Sequence, residues 1–432
     1  MKRTLLSLAA MAVAVMVHAQ AFRVWQNGES TRYSMSDVQW LPYASSGQTL
    51  TIGDKTYGLA EIDSITVVNP VTVTWNGASA SVSVPATVFG VTYSANGGNV
   101  VITNTNTWEE IEFVLKGSSS AGSLIYNGSF KTKFHLSGLN LTSTSGAALD
   151  IQCGKRIDLI LTEGTENNLT DAAGGTQKAA LNCQGHMEIS GSGSLSITSK
   201  SAHGLRTKEY LLIKKNTGAV SVKGATGDGI HCGEFYQQNG GSVSISGIAK
   251  DGLQVETANA SEEQLNGQFL MNDGTLTVRI EGEDVKGIRL DAPTANTGTV
   301  PEMSILGGTV TVVVTSTANG SRGISSDGNI TIGNGQAETP IVDVTVSAPQ
   351  YEDPETEEKS RATGIKAEQT LLIAGGVTTV TANGTKSRGV RAATLRATAG
   401  TLNVTTANSS QSIKLDNEYS TEGGTVNGKF IY

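Results

Sequence analysis

A two-residue phrase, a small residue followed by an aliphatic one, occurs ten times between residues 148 and 413. Its shortest intervals are 23 to 25 residues, and the longer intervals carry polar insertions. A fixed period in this range is typical of repeats that stack on one another, so equivalent residues should lie in line. The instances are Ala148-Leu149, Ala180-Leu181, Gly204-Leu205, Gly229-Ile230, Gly252-Leu253, Gly287-Ile288, Gly323-Ile324, Gly364-Ile365, Gly389-Val390 and Ser412-Ile413.

Each repeat contains short stretches in which apolar and polar residues alternate, as they do in strands that bury one face. The repeat that begins at Gly204 has three such stretches, over residues 204–207, 210–213 and 219–222. The composition, with 51 Gly, 8 Pro and only 5% aromatics, favours short strands and tight turns over helices. The pattern predicts an all-β fold, a single-stranded parallel β-helix of about ten coils with three strands per coil.

The N-terminus predicts export from the cell. Residues 1–19 resemble a secretory signal peptide, with Lys2 and Arg3 before an apolar stretch and a small-x-small cleavage site at 17–19. We therefore expect a secreted protein at an extracellular, cell-surface or periplasmic location. No other segment is long and apolar enough to span a bilayer, so membrane insertion is not expected. The formal net charge of −8 argues against nucleic acid as a partner, and we expect a monomer.

Three further segments follow the signal peptide. Residues 20–70 contain two copies of one turn-and-strand pattern and predict a small N-terminal β module of tandem hairpin-like units. Residues 71–133 are rich in strand-forming residues but irregular. We expect them to cap the open edge of the repeats, which would otherwise promote aggregation. Residues 134–432 then form the parallel β-helix itself.

The residue that follows the aliphatic one predicts a ligand-binding stripe. If the aliphatic residue points inward, its neighbour points outward, and the ten neighbours form a ladder with a step of about 4.8 Å. Like charges on adjacent strands destabilise a sheet, and a polyanion along the ladder would offset this repulsion. A solvated face neutralised by nearby acidic loops is the alternative. The predicted contact residues are Arg206, His231, Gln254, Arg289, Lys366 and Arg391.

Several segments resemble a known family. They are residues 155–171 (KRIDLILTEGTENNLTD), residues 180–195 (ALNCQGHMEISGSGSL), the stretch from Gly227 to His231, and the stretch from Lys250 to Leu253. Together they resemble the bacterial carbohydrate-binding parallel β-helices described as binding cellulose and acidic sugars, which are related in fold to family 9 polysaccharide lyases. The resemblance implies a right-handed helix and non-catalytic binding of a polysaccharide.

The same resemblance implies calcium sites built from Asp just before the Gly-aliphatic pair. In this chain those residues are Asp228 and Asp251. Family members often carry two acidic residues in tandem at this point, whereas this chain has one in each repeat. Calcium prefers six to eight oxygen ligands. The alternative is that the two Asp side chains form Asx turns that set up the corner before Gly.

The ligand and the activity can be narrowed further. All four Trp residues precede residue 109, so the repeats lack the flat aromatic platforms that stack on neutral glucans, which favours an acidic, polyuronate-like ligand. The first alternative function is a calcium-dependent polysaccharide lyase of the pectate type, with Lys250 as the base and Arg289 as a second candidate. The second alternative is a structural or adhesive cell-surface protein. No catalytic motif is recognisable, so the binding function is preferred.

Overall fold

The computed structural model describes residues 21–27, 29–34, 49–52, 55–256, 267–292, 300–315, 320–352, 355–356, 359–407 and 412–431. The predicted signal peptide lies outside these residues, and export stays a prediction. Within the described ranges, no helix has the length and apolar character needed to cross a membrane.

The N-terminal segment forms a small antiparallel unit. Strand β1 pairs with β2 and with β5, and β3 pairs with β4 in a hairpin. A small core of its own contains Phe22, Val24, Ile52 and Tyr57. The strands are β1 (Ala21–Gln26), β2 (Glu29–Ser34), β3 (Thr49–Ile52), β4 (Lys55–Gly58) and β5 (Ser64–Val68).

The next seven strands join the antiparallel unit to the repeats. Antiparallel pairs β6–β7 and β8–β9 are followed by parallel pairing of β10 with β6 and with β12. Trp75 is buried here, whereas Trp108 is 69% exposed. The strands are β6 (Val71–Asn76), β7 (Ser79–Ser83), β8 (Val91–Asn96), β9 (Gly98–Asn104), β10 (Ile111–Ser119), β11 (Gly122–Gly128) and β12 (Thr132–Thr142).

The repeats supply the remaining strands. The first group is β13 (Leu149–Gln152), β14 (Ile157–Leu161), β15 (Glu166–Thr170), β16 (Ala179–Cys183), β17 (Met187–Ser190), β18 (Ser194–Thr198), β19 (His203–Thr207), β20 (Leu211–Ile213), β21 (Ala219–Gly224), β22 (Ile230–Cys232), β23 (Phe235–Ser246), β24 (Leu253–Val255) and β25 (Gln268–Glu281). The second group is β26 (Lys286–Leu290), β27 (Glu302–Ile305), β28 (Thr309–Thr315), β29 (Arg322–Ser326), β30 (Asn329–Ile332), β31 (Ile341–Val346), β32 (Gln350–Glu352), β33 (Lys359–Arg361), β34 (Thr363–Ala382), β35 (Arg388–Thr406), β36 (Ile413–Leu415), β37 (Tyr419–Thr421), β38 (Thr425–Asn427) and β39 (Phe430–Ile431).

Equivalent strands of successive repeats pair in parallel. The strands that carry the small-aliphatic phrase follow one another in the order β13, β16, β19, β22, β24, β26, β29, β34, β35 and β36. We call this series the phrase strands. Their apolar side chains enter one continuous core that runs from Val71 to Leu415.

The predicted right-handed parallel β-helix solenoid is wrong as a description of the architecture. The chain is all-β, with a closed parallel barrel of eight strands and many further strands outside it. The repeat period specifies which residues stand opposite one another, but closure and hand depend on how strands bend between repeats. The division into three strands per repeat holds for β13–β15, β16–β18 and β19–β21 but not for the last repeats. β34 and β35, of 20 and 19 residues, continue through positions where the sequence predicts corners.

The small residue of the phrase is required by close packing. A Cβ added to Gly252 would lie 2.4 Å from Cγ1 of Val278 and 2.5 Å from the carbonyl oxygen of Gly287. The same contact recurs at Gly364, where Cγ1 of Val380 would be 2.3 Å away. Protein interiors are packed too densely to absorb an extra carbon without a shift. A small residue is therefore required wherever a branched side chain packs against the backbone of a phrase strand.

Candidate functional site

The residues after the aliphatic position lie in one line across the phrase strands. Each is the direct register partner of the next, from Asp150 through Arg206 and Arg289 to Lys414. All six predicted contact residues therefore belong to one row, which we call the ladder. Its members are Asp150, Asn182, Arg206, His231, Gln254, Arg289, Ser325, Lys366, Arg391 and Lys414.

The ladder is less exposed than the sequence suggested. His231, Gln254 and Lys366 retain only 8%, 9% and 8% of their accessible surface, although Arg206 and Arg391 are half-buried. Many ladder side chains bond to a neighbour on the same face, as Arg289 does to Asp291 and as Lys366 does to Glu368. Residues two apart in an extended segment share a face, so Arg289 and Lys366 each lie beside an acid two residues further along the chain. The ladder is thus the floor of a groove rather than an open stripe.

A cleft of about 560 Å³ opens over the middle of the ladder. It brings together four predicted contact residues, Arg206, His231, Gln254 and Arg289, with both predicted calcium ligands and Lys250. The other two contact residues lie further along the ladder, on β34 and β35. Apart from two histidines, no aromatic side chain of the described residues lines this cleft.

The side chain just before the Gly-aliphatic pair has a structural role in this cleft. The backbone amide of Asp228 donates to Nδ1 of His203 at 3.0 Å, and the amide of Asp251 donates to Oδ1 of Asp228 at 3.1 Å. The amide of Lys286 in turn donates to Oδ1 of Asp251 at 2.7 Å. Each acceptor satisfies a buried amide of the following repeat, which would otherwise lack a partner. This arrangement accounts for an acceptor side chain at these three positions.

Asp228 is the centre of a buried cluster with two histidines. Its Oδ2 lies 3.0 Å from Nδ1 of His231 and 3.2 Å from Nδ1 of His203. The two imidazole rings stack with their centroids 4.5 Å apart. Burial opposes ionisation of Asp228, but the histidines outweigh it and hold its pKa well below the usual range. Burial also opposes protonation of His231, but hydrogen bonds to Asp228 and Glu256 raise its pKa to about 9.

Asp251 is held by a different set of donors. Besides the amide of Lys286, the Arg289 guanidinium donates to its Oδ2 at 3.0 Å. Burial nevertheless raises the pKa of Asp251. Burial opposes protonation of Arg289, but its contacts with Asp251 and Asp291 raise its pKa above the usual range. Arg289 is therefore firmly protonated and is unsuited to act as a lyase base.

The predicted calcium site can be compared with these contacts. All four carboxylate oxygens of Asp228 and Asp251 are engaged, and their donors include His231 and Arg289. Calcium requires a shell of six to eight oxygens, and here cations and ring nitrogens stand where further oxygens would be needed. This donor set does not fit calcium. Calcium binding by this chain stays a prediction.

Further along the ladder from the cleft lies a concentration of cations that we call the basic end. It comprises Arg322, Arg361, Lys366, Arg388 and Arg391. Burial lowers the pKa of Lys366, and Arg322 and Arg391 lower it further despite its hydrogen bond to Glu368. Burial, Arg361 and Arg391 lower the pKa of Arg388 to about 10. Arg391 itself contacts Asp416 at 3.2 Å. The fold therefore holds these cations against their mutual repulsion.

A second charged surface, the paired face, was not recognised in the sequence. It contains Glu110, Glu112, Lys133, Arg156, Asp158, Glu188 and Lys214 on and beside β10, β12, β14, β17 and β20. Nζ of Lys214 contacts Glu188 at 2.6 Å and Asp158 at 3.1 Å, and Arg156 contacts Glu110 at 3.0 Å. Here the neighbours favour the charged forms, because the pKa of Lys214 is raised and that of Glu188 is lowered against the effect of burial.

Sequence reasoning also missed His203, Glu256 and Arg388 as members of the groove. His203 and Arg388 occupy the position before the Gly-aliphatic pair, at which only acidic residues were considered. Glu256 lies two residues after Gln254 and therefore on the same face of the strand. The repeat register could have identified all three residues, because the positions before and after the small-aliphatic pair lie close together in neighbouring repeats.

Comparison with known proteins assigns the chain to a family. Residues 96–408 match the model of a family described as carbohydrate-binding domain-containing protein. The match covers most of the chain, and the protein belongs to this family. No curated protein matches. Among solved structures, the chain is similar to a polysaccharide lyase-like protein from C. thermocellum, determined as a gadolinium derivative, with 21% identity and a TM-score of 0.46. That similarity covers 58% of this chain and 93% of the other.

Proposed function

We propose that the protein binds an acidic polysaccharide along the groove whose floor is the ladder, without cleaving it. Membership of a carbohydrate-binding family supports a glycan as the partner. The observation that carries the acidic character is the basic end, where burial and the neighbouring Arg322 and Arg391 lower the pKa of Lys366. An anionic ligand would relieve this repulsion, because opposite charge within a few ångströms favours the charged form.

The cleft would contribute hydrogen bonds to the same ligand. Arg206, Gln254 and Lys250 offer donors, and Glu256 offers acceptors, within one cavity. Sugar hydroxyl and carboxylate groups need such convergent polar partners, since the cleft provides no flat ring apart from its histidines. Adjacent contact positions are separated by one strand spacing of about 4.8 Å, which is comparable with the length of one sugar unit.

The test compares binding of a polyuronate and of a neutral glucan by titration calorimetry at low ionic strength. We expect binding of the polyuronate and weak or no binding of the glucan. The double variant Lys366→Gln/Arg391→Gln should weaken polyuronate binding at least about tenfold, since each lost charge contact is worth roughly 1 kcal/mol. Added salt should weaken wild-type binding as well.

The matched control removes the same number of charges from the paired face. Arg156→Gln/Lys214→Gln should leave the polyuronate affinity within about twofold, because those cations are neutralised by their own carboxylates. Equal loss in both double variants would mean that only net charge matters, and the groove proposal would then be wrong. Measurements with and without added calcium after chelation would test the separate calcium prediction.

Lyase activity is the second candidate, because Lys250 lines the cleft beside Asp251. Elimination from a polyuronate produces an unsaturated sugar that absorbs ultraviolet light, so incubation with polyuronate gives a direct assay. We expect no such product. Its appearance, with loss in Lys250→Ala but retention in Lys155→Ala, would replace the binding proposal by catalysis.

The cellular location is also part of the proposal. We expect the protein to bind its polysaccharide outside the cytoplasm, in agreement with the predicted signal peptide at residues 1–19. Detection of the mature protein beginning near residue 20 in a membrane-free extracellular or periplasmic fraction would support export. Full-length protein in the cytoplasm would contradict it.

A further inference from the structure

We propose that His203, Asp228 and His231 form a site for a divalent transition metal such as Zn²⁺. The three residues come from neighbouring phrase strands and the turn before one of them, and they meet because Arg206 and His231 are register partners. Each can offer one ligand atom, and these atoms all lie within 4.8 Å of one another. Two imidazoles and one carboxylate form a donor set that suits zinc and similar metals rather than calcium.

Two of the three separations between ligand atoms are close to those of a tetrahedral ion. Bonds of about 2.0–2.1 Å at tetrahedral angles place ligand atoms roughly 3.3 Å apart. Oδ2 of Asp228 lies 3.0 Å from Nδ1 of His231 and 3.2 Å from Nδ1 of His203. Asp228 and His231 are buried, and His203 is half-buried. Bulk water would therefore have little access to the three ligand atoms. The fourth position would open into the cleft.

Nδ1 of His203 faces a backbone donor and a carboxylate oxygen at the same time. It receives the backbone amide of Asp228 at 3.0 Å and also faces Oδ2 of the same residue at 3.2 Å. If Nδ1 accepts the amide proton, it has no proton for the carboxylate, and two acceptors face each other. If Nδ1 is protonated, the amide loses its acceptor. A metal bound to Nδ1 and Oδ2 would place a cation between these two acceptors, and it would take the Nδ1 lone pair that otherwise accepts the amide of Asp228.

Neighbouring groups would hold the ligands in place. Oε2 of Glu256 lies 3.4 Å from Nε2 of His231, so the ring nitrogen remote from the metal would face a carboxylate. The other oxygen of Asp228, Oδ1, accepts the backbone amide of Asp251. Metal-binding histidines commonly donate their second nitrogen to a carboxylate in this way, and loss of that partner weakens metal affinity about 10–100-fold.

The test is titration of the metal-free, untagged full chain with Zn²⁺ by calorimetry, together with the visible spectrum of added Co²⁺. We expect one ion per chain and a tetrahedral Co²⁺ spectrum. Asp228→Asn and His231→Gln should each weaken Zn²⁺ binding at least about tenfold, and Glu256→Gln should do so by about 10–100-fold. Zn²⁺ should also raise the unfolding temperature of the wild type but not that of His231→Gln.

The matched control is His186→Gln. His186 also contacts a carboxylate, Oε2 of Glu209 at 2.6 Å, and stacks on an aromatic ring, but it is outside the three-residue group. The Zn²⁺ affinity of the His186→Gln variant should equal that of the wild type. No binding, binding that survives loss of both His203 and His231, or an equal loss in His186→Gln would overturn the proposal. Polyuronate binding measured without metal keeps this outcome separate from that of the proposed function.

Discussion

The paired face and the basic end show two ways in which the repeats can carry charge. On the paired face, Lys214 is held between Glu188 and Asp158, and the pKa of Lys214 is raised. At the basic end, burial together with Arg322 and Arg391 lowers the pKa of Lys366, although Glu368 is beside it. Both surfaces stand on stacked parallel strands. They differ in the charges of the neighbouring repeats, which are opposite to that of Lys214 but the same as that of Lys366.

This difference separates structural charge from charge available to a ligand. When a pKa moves toward the charged form, the protein itself supplies the counter-charge. When burial and neighbouring like charges together move a pKa toward the neutral form, as at Lys366, an external group of opposite charge would favour the charged form. The comparison therefore locates a candidate anion-binding surface without relying on net charge, which is −8 for the whole chain.

The largest expected effect is a loss of stability when the small residue of the phrase is enlarged, either under the cleft or under the basic end. Gly252→Ala, under the cleft, and Gly364→Ala, under the basic end, should each lower the free energy of unfolding by about 1–3 kcal/mol, because the added methyl meets a valine and a backbone carbonyl. Gly154→Ala, which would meet nothing within 4 Å, is the control. Chemical denaturation measures all three. A substantial loss at only one of the two glycines would show that the cleft and the basic end are packed differently.

A smaller effect should distinguish the two charged surfaces by sign. Lys214→Gln should lower the free energy of unfolding by roughly 0.5–1 kcal/mol, a value reduced by the 35% exposure of its side chain. Lys366→Gln should leave stability unchanged or raise it slightly, because it removes a buried cation that faces two others. Urea unfolding at neutral pH compares the variants. Destabilisation of equal size in both would remove the proposed distinction.

The smallest effect is a difference in pH dependence. The pKa of Glu188 is lowered in the folded state, so its contribution is present above the ordinary value of 4.5 and is lost as pH falls through the lowered pKa. The pKa of Lys366 is also lowered, so stability should rise as pH increases from that pKa toward 10.5. Glu188→Gln should flatten the acid side of the stability curve, and Lys366→Gln the alkaline side. Unchanged curves would contradict these assignments.

Much of the ladder was predictable from the sequence. The small residue of the phrase is fixed by contact with a branched side chain, as at Gly252, so it recurs wherever a phrase strand passes over the core. Counting from it gave the correct register for Arg206, His231 and Gln254 across three strands. Register is strongly specified when one face of a strand is buried.

The rest depended on information that a repeat period does not contain. Closure of the sheet depends on the tilt and stagger of the strands, which the spacing of the phrase does not specify. The burial of the ladder arises from partners two residues further along, such as Glu368 beside Lys366. The cluster of His203, Asp228 and His231 combines both sides of the phrase in neighbouring repeats, and examining either side alone separates its members.

The contact between glycine and valine also constrains how such a chain can vary in length. Because the backbone at Gly252 has no room for another carbon, the phrase strand cannot drift sideways, whereas the intervals between phrases range from 23 to 41 residues. Insertions are therefore absorbed in the connections, and the spacing of the groove floor is left unchanged. Duplication or deletion of a whole repeat would add or remove one position of the ladder and leave the spacing of the remaining positions unchanged.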